Sequence, residues 1–304
     1  MTDANPDYLD PKVLGKVARL DLRARLVVEG FVTGMHKSPF RGFSVEFAQH
    51  REYVPGDDLR YLDWKIYGKS DRYVVKQFEE ETNLRAHLFL DQSESMNYAH
   101  DGGMSKFDYS ATAVASLAYM IQQQADAVGL TLFDESVARQ TPPSNTRASL
   151  GNLFSSLEQA KARNKKTKAG EVLQELASEL RQRGLVMIFS DLFDAPAEVL
   201  KGLRAIAQRG HDVVVFHVLD KDELEFPFER MTLFQGLEQM PELLVDPKSL
   251  RDAYLVEIES FCDQIKKGCL QNRIDYVRVV NSQPLDVVLT SYLSARAARR
   301  KRRK

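Results

Sequence analysis

From residue 86 onward, apolar residues follow two alternating patterns: short continuous runs, then longer stretches in which they recur every three or four positions. The runs read as strands buried on both faces and the longer stretches as amphipathic helices. In order, the pattern predicts a strand over 86–90, a helix over 106–125, strands over 129–133 and 137–140, and a turn at Pro142-Pro143-Ser144-Asn145. Helices over 146–163 and 170–183 follow, separated by the basic stretch 164–168, with Gly184 as a stop signal. Next come a strand over 185–190, a helix over 196–209 opened by Pro196, and a continuously apolar strand over 212–219. Residues 222–246 break the alternation with a small hairpin, 231–238 against 242–246. A helix over 248–270, a strand over 274–280 and a helix over 284–298 complete the unit.

Strands alternating with helices predict an α/β fold, a doubly wound and mostly parallel sheet with helices on both faces. The first 85 residues have a different texture. Helical stretches over 11–20 and 23–31 precede a segment, 42–81, dense in Gly, Pro, Asp and aromatics, with short alternating runs at 61–66 and 72–78. That is β-hairpin material. The expected organisation is an N-terminal helical and β-hairpin subdomain over 1–85, packed on an α/β domain over 86–295, with a basic tail over 296–304.

Composition narrows the function classes. The 304 residues are 43% hydrophobic, enough to fill a sizeable core. Net charge is −1, yet the last nine residues hold seven Lys or Arg and no acid, leaving 35 basic against 43 acidic residues in the body. An acidic body argues against broad nucleic-acid or membrane affinity, and the tail reads as a solvated helix end. Binding of nucleic acid through Arg296–Lys304 remains an alternative with its own signature, a steep salt dependence lost on deleting the tail. Cys262 and Cys269 lie about 10 Å apart along one predicted helix, too far to pair, and fit a reducing compartment. The first ten residues carry no positive start followed by an apolar stretch, and no apolar run approaches the ~20 residues that span a bilayer. A cytoplasmic protein without a signal peptide or membrane span is expected.

The candidate chemistry lies at strand ends. Asp91-Gln92-Ser93-Glu94-Ser95 directly follows the first apolar strand, offering one carboxylate and two hydroxyls at alternate positions of a loop. Hard cations such as Mg²⁺ take oxygen donors of this kind and keep some of their waters. Ser190-Asp191 ends another apolar strand, so a second carboxylate reaches the same rim, where open parallel sheets gather ligands. Thr167, before the helix over 170–183, is the best-placed further hydroxyl, with Thr146 as the fallback and Asp194 near enough to act through water. Taken singly, each of these residues also serves as a cap or turn former, and Asp194 suits an N-cap before Pro196. An enzyme using Asp91 as nucleophile or metal base, a hydrolase or phosphoryl-transfer protein, is the competing class. A second Asp two residues on is missing, as are a Gly-rich phosphate loop and a Gly-x-Ser-x-Gly turn, and the six His residues show no metal-ligand spacing.

Asp91, Ser93, Ser95, Thr167 and Asp191 together resemble the metal-ion-dependent adhesion site of von Willebrand factor type A domains. The block Arg51-Glu52-Tyr53-Val54-Pro55-Gly56-Asp57-Asp58-Leu59-Arg60-Tyr61-Leu62-Asp63-Trp64, followed by Lys76-Gln77-Phe78-Glu79, resembles the bacterial family called domain of unknown function 58. The likeness covers roughly residues 42–220. It implies a von Willebrand factor A-like fold, a bound Mg²⁺ or Mn²⁺, a non-enzymatic protein-binding role, and a MoxR-type AAA+ ATPase as partner in chaperone-like maturation of other proteins. The Pro55–Asp58 stretch is first a tight turn. Arg51, Asp57, Asp58 and Arg60 could form a buried ion network with Asp63 beside Trp64, or a partner-recognition surface. Two departures weigh on the site. Leu192 stands where adhesion-type domains often have Gly, and Lys165, Lys166 and Lys168 flank Thr167 with charges that oppose a divalent ion.

Overall fold

Leu88 and Leu90 turn to one side of the first parallel strand and Phe89 to the other, and all three are fully buried, so this strand needs cover on both faces. The computed structural model describes residues 11–14, 19–37, 50–52, 67–68, 70, 73–76, 84–100, 102–162, 168–234 and 243–303. Its elements run α1 (Pro11–Leu14), α2 (Leu20–Lys37), β1 (His50–Glu52), β2 (Val74–Lys76), β3 (Arg85–Asp91), α3 (Lys106–Gln123), β4 (Ala127–Phe133), β5 (Val137–Ser144), α4 (Arg147–Gln159) and α5 (Ala169–Glu179). Then follow β6 (Leu185–Ser190), α6 (Pro196–Gln208), β7 (Asp212–Leu219), α7 (Lys221–Glu225), β8 (Thr232–Phe234), β9 (Leu243–Val245), α8 (Pro247–Gln271), β10 (Asp275–Val280) and α9 (Leu285–Arg303).

Six strands form the main sheet in the order β10-β7-β6-β3-β4-β5, all parallel except β5, which runs antiparallel to β4. This is the doubly wound, mostly parallel α/β architecture that the alternation, and the resemblance to type A domains, led one to expect. Side-chain alternation divides the core. Leu88, Leu90, Leu130, Met187 and Phe216 pack with Val27 of α2, Val114 of α3, Leu153 of α4 and Leu289 of α9. On the opposite face Phe89, Phe133, Ile188 and Val215 pack with Leu173 of α5, Leu203 of α6 and Ile265 of α8. Cys262 and Cys269 are both buried and unbonded to each other within α8.

The chain divides into two compact units, Met1–Lys37 with Leu84–Lys304, and Ser38–Asn83. In the first, α2 packs on α3 and α9, so this helix belongs to the α/β unit. In the second, β1 and β2 pair antiparallel with Arg51 opposite Val75, and the rings of Tyr67 and Tyr73 stack at 4.6 Å.

Several local features depart from the expected pattern, and three have a plain physical reason or bear on the rim. The turn expected at Pro142–Asn145 is the continuation of β5, which runs through both prolines to Ser144. Proline is tolerated there because β5 is an edge strand, and Gly129 on β4 leaves room, since a Cβ on it would lie 2.7 Å from the Pro143 nitrogen. Helix α5 stops at Glu179, four residues short of Arg183. Helix α7, which no apolar period announces, is set by a capping box: the Asp220 side chain accepts from Asp222 N while Glu223 reaches back to Asp220 N at 2.7 Å.

A candidate metal centre at the carboxyl ends of the strands

From β3 the chain builds outward through β4 and β5, then returns to place β6 on the other side of β3 and builds outward again through β7 and β10. The reversal lies between β3 and β6, and ligands of such sheets gather beyond the strand ends at that point. Asp91 ends β3 and Ser190 ends β6, with Leu90 opposite Phe189 in register. Ser190 Oγ donates to Asp91 Oδ2 at 2.6 Å, and Ser93 N donates to Asp91 Oδ1 at 2.8 Å. The Ser93 and Ser95 hydroxyl oxygens lie 3.2 Å apart, brought together by a single 3₁₀ turn over Glu94–Asn97. Gln92, turned the other way, donates from Nε2 to Asp134 Oδ2 at 3.1 Å. Four of the expected site residues, Asp91, Ser93, Ser95 and Asp191, are therefore buried at the one rim.

Asp191 is held from three sides. Its Oδ1 accepts from Phe193 N at 3.2 Å, its Oδ2 from the Lys106 ammonium at 2.7 Å, and its carbonyl from His217 Nε2 at 2.8 Å. A carbonyl only accepts, so His217 carries its proton on Nε2, and Nδ1 accepts from the Tyr276 hydroxyl at 2.8 Å. Burial drives the His217 pKa down to about 4, so the ring is neutral at pH 7. The next residue, Leu192, is fully buried with φ 54°, a left-handed conformation where glycine would be at ease.

Lys106 is the part of this centre that sequence reasoning missed. It is the first residue of α3, behind the N-cap Ser105, and has no solvent exposure. Besides Asp191 it binds Glu223 Oε1 at 2.5 Å, and its ammonium sits 4.8 Å from the Phe193 ring centroid. Burial opposes the charge, but Asp191 and Glu223 outweigh it and raise the lysine above its ordinary pKa. Burial also raises Glu223, with Lys106 pulling the other way. A hint was legible in the position: a cation in the first turn opposes the helix macrodipole, so a lysine there calls for a compensating acid.

Asp91 differs. Burial and the neighbouring Asp191 charge push its carboxyl up to about 7, against the pull of Ser190 and Ser93. Among the described residues it has no cationic partner. The cluster thus brings three carboxylates, Asp91, Asp191 and Glu223, against one ammonium. A divalent cation would restore the balance, and the donors beside Asp91 are all oxygen, so the residues present fit Mg²⁺ or Mn²⁺.

The other expected residues fare variously. Thr167, with Lys165 and Lys166, lies outside the described residues, as do Asp57, Asp58, Arg60, Asp63 and Trp64. Lys168 pairs at the surface with Glu171. Thr146 caps α4 by accepting from Ser149 N at 3.2 Å, and is not part of the rim cluster. The N-cap before Pro196 is Ala195, and Asp194 instead accepts from Gly170 N at 3.1 Å, binding the start of α5. A second group stands at the end of β7: His100, Asp220 and Asp222 each offer a ligand atom, all within 4.8 Å of one another, and could hold a metal ion. There Asp220 Oδ2 accepts from Asn281 Nδ2 at 2.6 Å and His100 N at 3.0 Å, and Asp222 Oδ2 from the Tyr98 hydroxyl at 2.8 Å.

Known proteins give this geometry a setting. A family model described as "Protein of unknown function DUF58" matches residues 49–260, more than half of the chain. An uncharacterized protein of Mycobacterium tuberculosis is 27% identical over 253 residues, which cover 82% of this chain and 78% of that protein. Among solved structures, the conserved hypothetical protein BatB from Bacteroides thetaiotaomicron superposes with a TM-score of 0.49 at 20% identity, covering 71% of this chain and 99% of its own. An aerotolerance-related membrane protein from Bacteroides fragilis gives 0.47 at 17% identity, covering 68% and 97%.

Proposed function

The chain belongs to the DUF58 family of proteins of unknown function, and from that premise we propose a function drawn from the rim itself: a non-enzymatic protein-binding module whose contact is completed by a divalent ion. Asp91 would hold Mg²⁺, or Mn²⁺, with the Ser93 and Ser95 hydroxyls beside it, while Thr167 and Asp191 close the shell directly or through water. The observation that carries this reading is the buried Asp91 carboxylate, which has two hydroxyls at hand and no cationic partner among the described residues. An ion whose charge the protein neutralises only in part attracts a further anion, and a Glu or Asp of a partner protein supplies one. Ser95, the least buried of the described members of the set, marks the side of approach.

The family resemblance adds a MoxR-type AAA+ ATPase as the partner and work on the maturation of other proteins, and the sequence adds cytoplasmic residence. Among the described residues no helix is long and apolar enough to cross a membrane. Arg51, Asp57, Asp58 and Arg60 are kept as a second candidate contact for the same partner. The enzyme alternative uses Asp91 as nucleophile or metal base; His217, bonded to the Asp191 carbonyl, is neutral and engaged through both ring nitrogens and offers it no free imidazole.

Calorimetry with Mg²⁺ and Mn²⁺ on wild type and Asp91→Ala tests the ion, and pull-down with and without EDTA tests the partner. Heats that are equal in the two proteins, or capture indifferent to EDTA and to Asp91→Ala, would sink the reading.

A further inference from the structure

We propose that Lys106 limits the divalent-ion affinity of the Asp91 site, because its buried ammonium already occupies Asp191; the inference rests on the metal reading above. Lys106 Nζ lies 2.7 Å from Asp191 Oδ2 and 2.5 Å from Glu223 Oε1, and neither Lys106 nor Asp191 has any solvent exposure. Asp191 has little freedom to turn elsewhere. Phe193 N holds its second carboxylate oxygen and His217 holds its carbonyl.

Glu223 holds the lysine in turn and is itself fixed by the capping box of α7, since its other oxygen accepts from Asp220 N at 2.7 Å. The Phe193 ring, 4.8 Å from the ammonium, lines the same side. The result is a protein cation built into the centre, bonded to two of its three carboxylates. An ion arriving at Asp91 meets one unclaimed carboxylate and the repulsion of a nearby ammonium.

Two consequences follow for the proposed docking contact. The ion is bound more weakly than the carboxylate count implies. For the same reason it keeps more of its charge for an incoming partner carboxylate, so Lys106 trades ion affinity against pull on the partner. Removing the ammonium would release Asp191 and Glu223 to the ion. A unit charge ~8 Å from a divalent ion, at an effective dielectric near 20, is worth about a thousandfold in affinity before screening, so about tenfold is the floor once water and salt screen it.

The test is calorimetric titration with Mn²⁺ of wild type, Lys106→Met, the charge-conserving double variant Lys106→Met/Glu223→Gln, and each in combination with Asp91→Ala. Circular dichroism checks that each is folded. The expected result is binding about tenfold tighter or more in Lys106→Met, and tighter than wild type by a smaller factor in the double variant, where the net charge is unchanged and only the release of Asp191 acts; Asp91→Ala abolishes both. Lys106→Met strands two buried acids and can fail to fold, in which case the double variant carries the measurement. Unchanged or weaker binding in the folded variants overturns the inference and leaves the metal reading standing. Failure of both variants to fold with Mn²⁺ present assigns Lys106 to structure alone and overturns it too. If wild type itself shows no Asp91-dependent binding, the metal reading falls, and this inference with it.

Discussion

Replacing Asp91 by Asn removes a charge that the ion-free fold bears at a cost, so this site variant is expected to be more stable than wild type. Burial and Asp191 push the carboxyl from 3.8 up to about 7. At about 1.4 kcal/mol per unit, ionising it in the folded protein costs on the order of 4 kcal/mol. Asn keeps an oxygen for Ser93 N, and the bonds that Ser190 and Ser93 give the carboxylate are already contained in that shift, so the net gain above pH 7 is on the order of 4 kcal/mol. For a chain of this size that is about 4–8 °C in Tm. The pH dependence carries the diagnosis. Between about 4 and 7 the folded state keeps the Asp91 proton that the unfolded chain has lost, so wild-type stability from this group falls as pH rises through that window and levels off above it. The advantage of Asp91→Asn should therefore grow from near zero at pH 4 to a plateau above pH 7, in EDTA. Mg²⁺ should narrow it, since binding stabilises wild type alone. Thermal unfolding of both proteins from pH 4.5 to 8.5 reads this directly. A difference that does not vary with pH, or a variant less stable than wild type at pH 8 in EDTA, refutes the reasoning.

Other consequences are local. Leu192→Ala and Leu192→Gly should both destabilise, by about 2–5 kcal/mol for the lost burial, yet the Gly variant should regain about 1 kcal/mol because φ 54° no longer opposes a side chain; urea unfolding in which Gly is the worse of the two contradicts this. The His217 imidazole should stay neutral down to about pH 4, so its contribution makes stability rise with pH from about 4 to 6.5; an NMR titration midpoint near 6.5 would refute it. Gly202→Ala should cost about 1–3 kcal/mol, because the new Cβ would lie 2.7 Å from Leu173 Cβ and 2.8 Å from Gly170 O where α5 and α6 pack; an unchanged urea midpoint would count against it.

The parallel core was legible because strands buried on both faces need continuous apolar runs, and those at 86–90, 185–190 and 212–219 fall within one residue of β3, β6 and β7 at their carboxyl ends. What escaped is where a local signal serves two masters. Pro142 and Pro143 carry a turn signature, yet an edge strand leaves one row of N–H positions unpaired and accepts them within β5. The five residues of α7 are too few for a period, and their announcement is the Asp220 and Glu223 capping box alone. For the site, strand-end carboxylates and the Asp-x-Ser-x-Ser spacing are local and were readable. The partners of Lys106 are not, since they lie 85 and 117 positions away along the chain.

That long-range contact changes how two similar-looking aspartates behave. Asp91 and Asp191 each end an apolar strand and each is fully buried, so the sequence treats them alike. Their compensation differs. Asp191 is neutralised by Lys106, whereas Asp91 is solvated by a hydroxyl and an amide and keeps an unbalanced charge. Asp191→Asn would leave the buried ammonium with Glu223 alone, and breaking one arm of a buried pair costs about 3 kcal/mol or more. The two Asp→Asn changes should thus shift stability in opposite directions in EDTA at pH 8, up for Asp91 and down for Asp191. Unfolding midpoints that move the same way would mean that the charge of this rim is not divided as the hydrogen bonds imply. If they diverge, the carboxylate that awaits an ion is Asp91, and Asp191 serves to hold the lysine beside it.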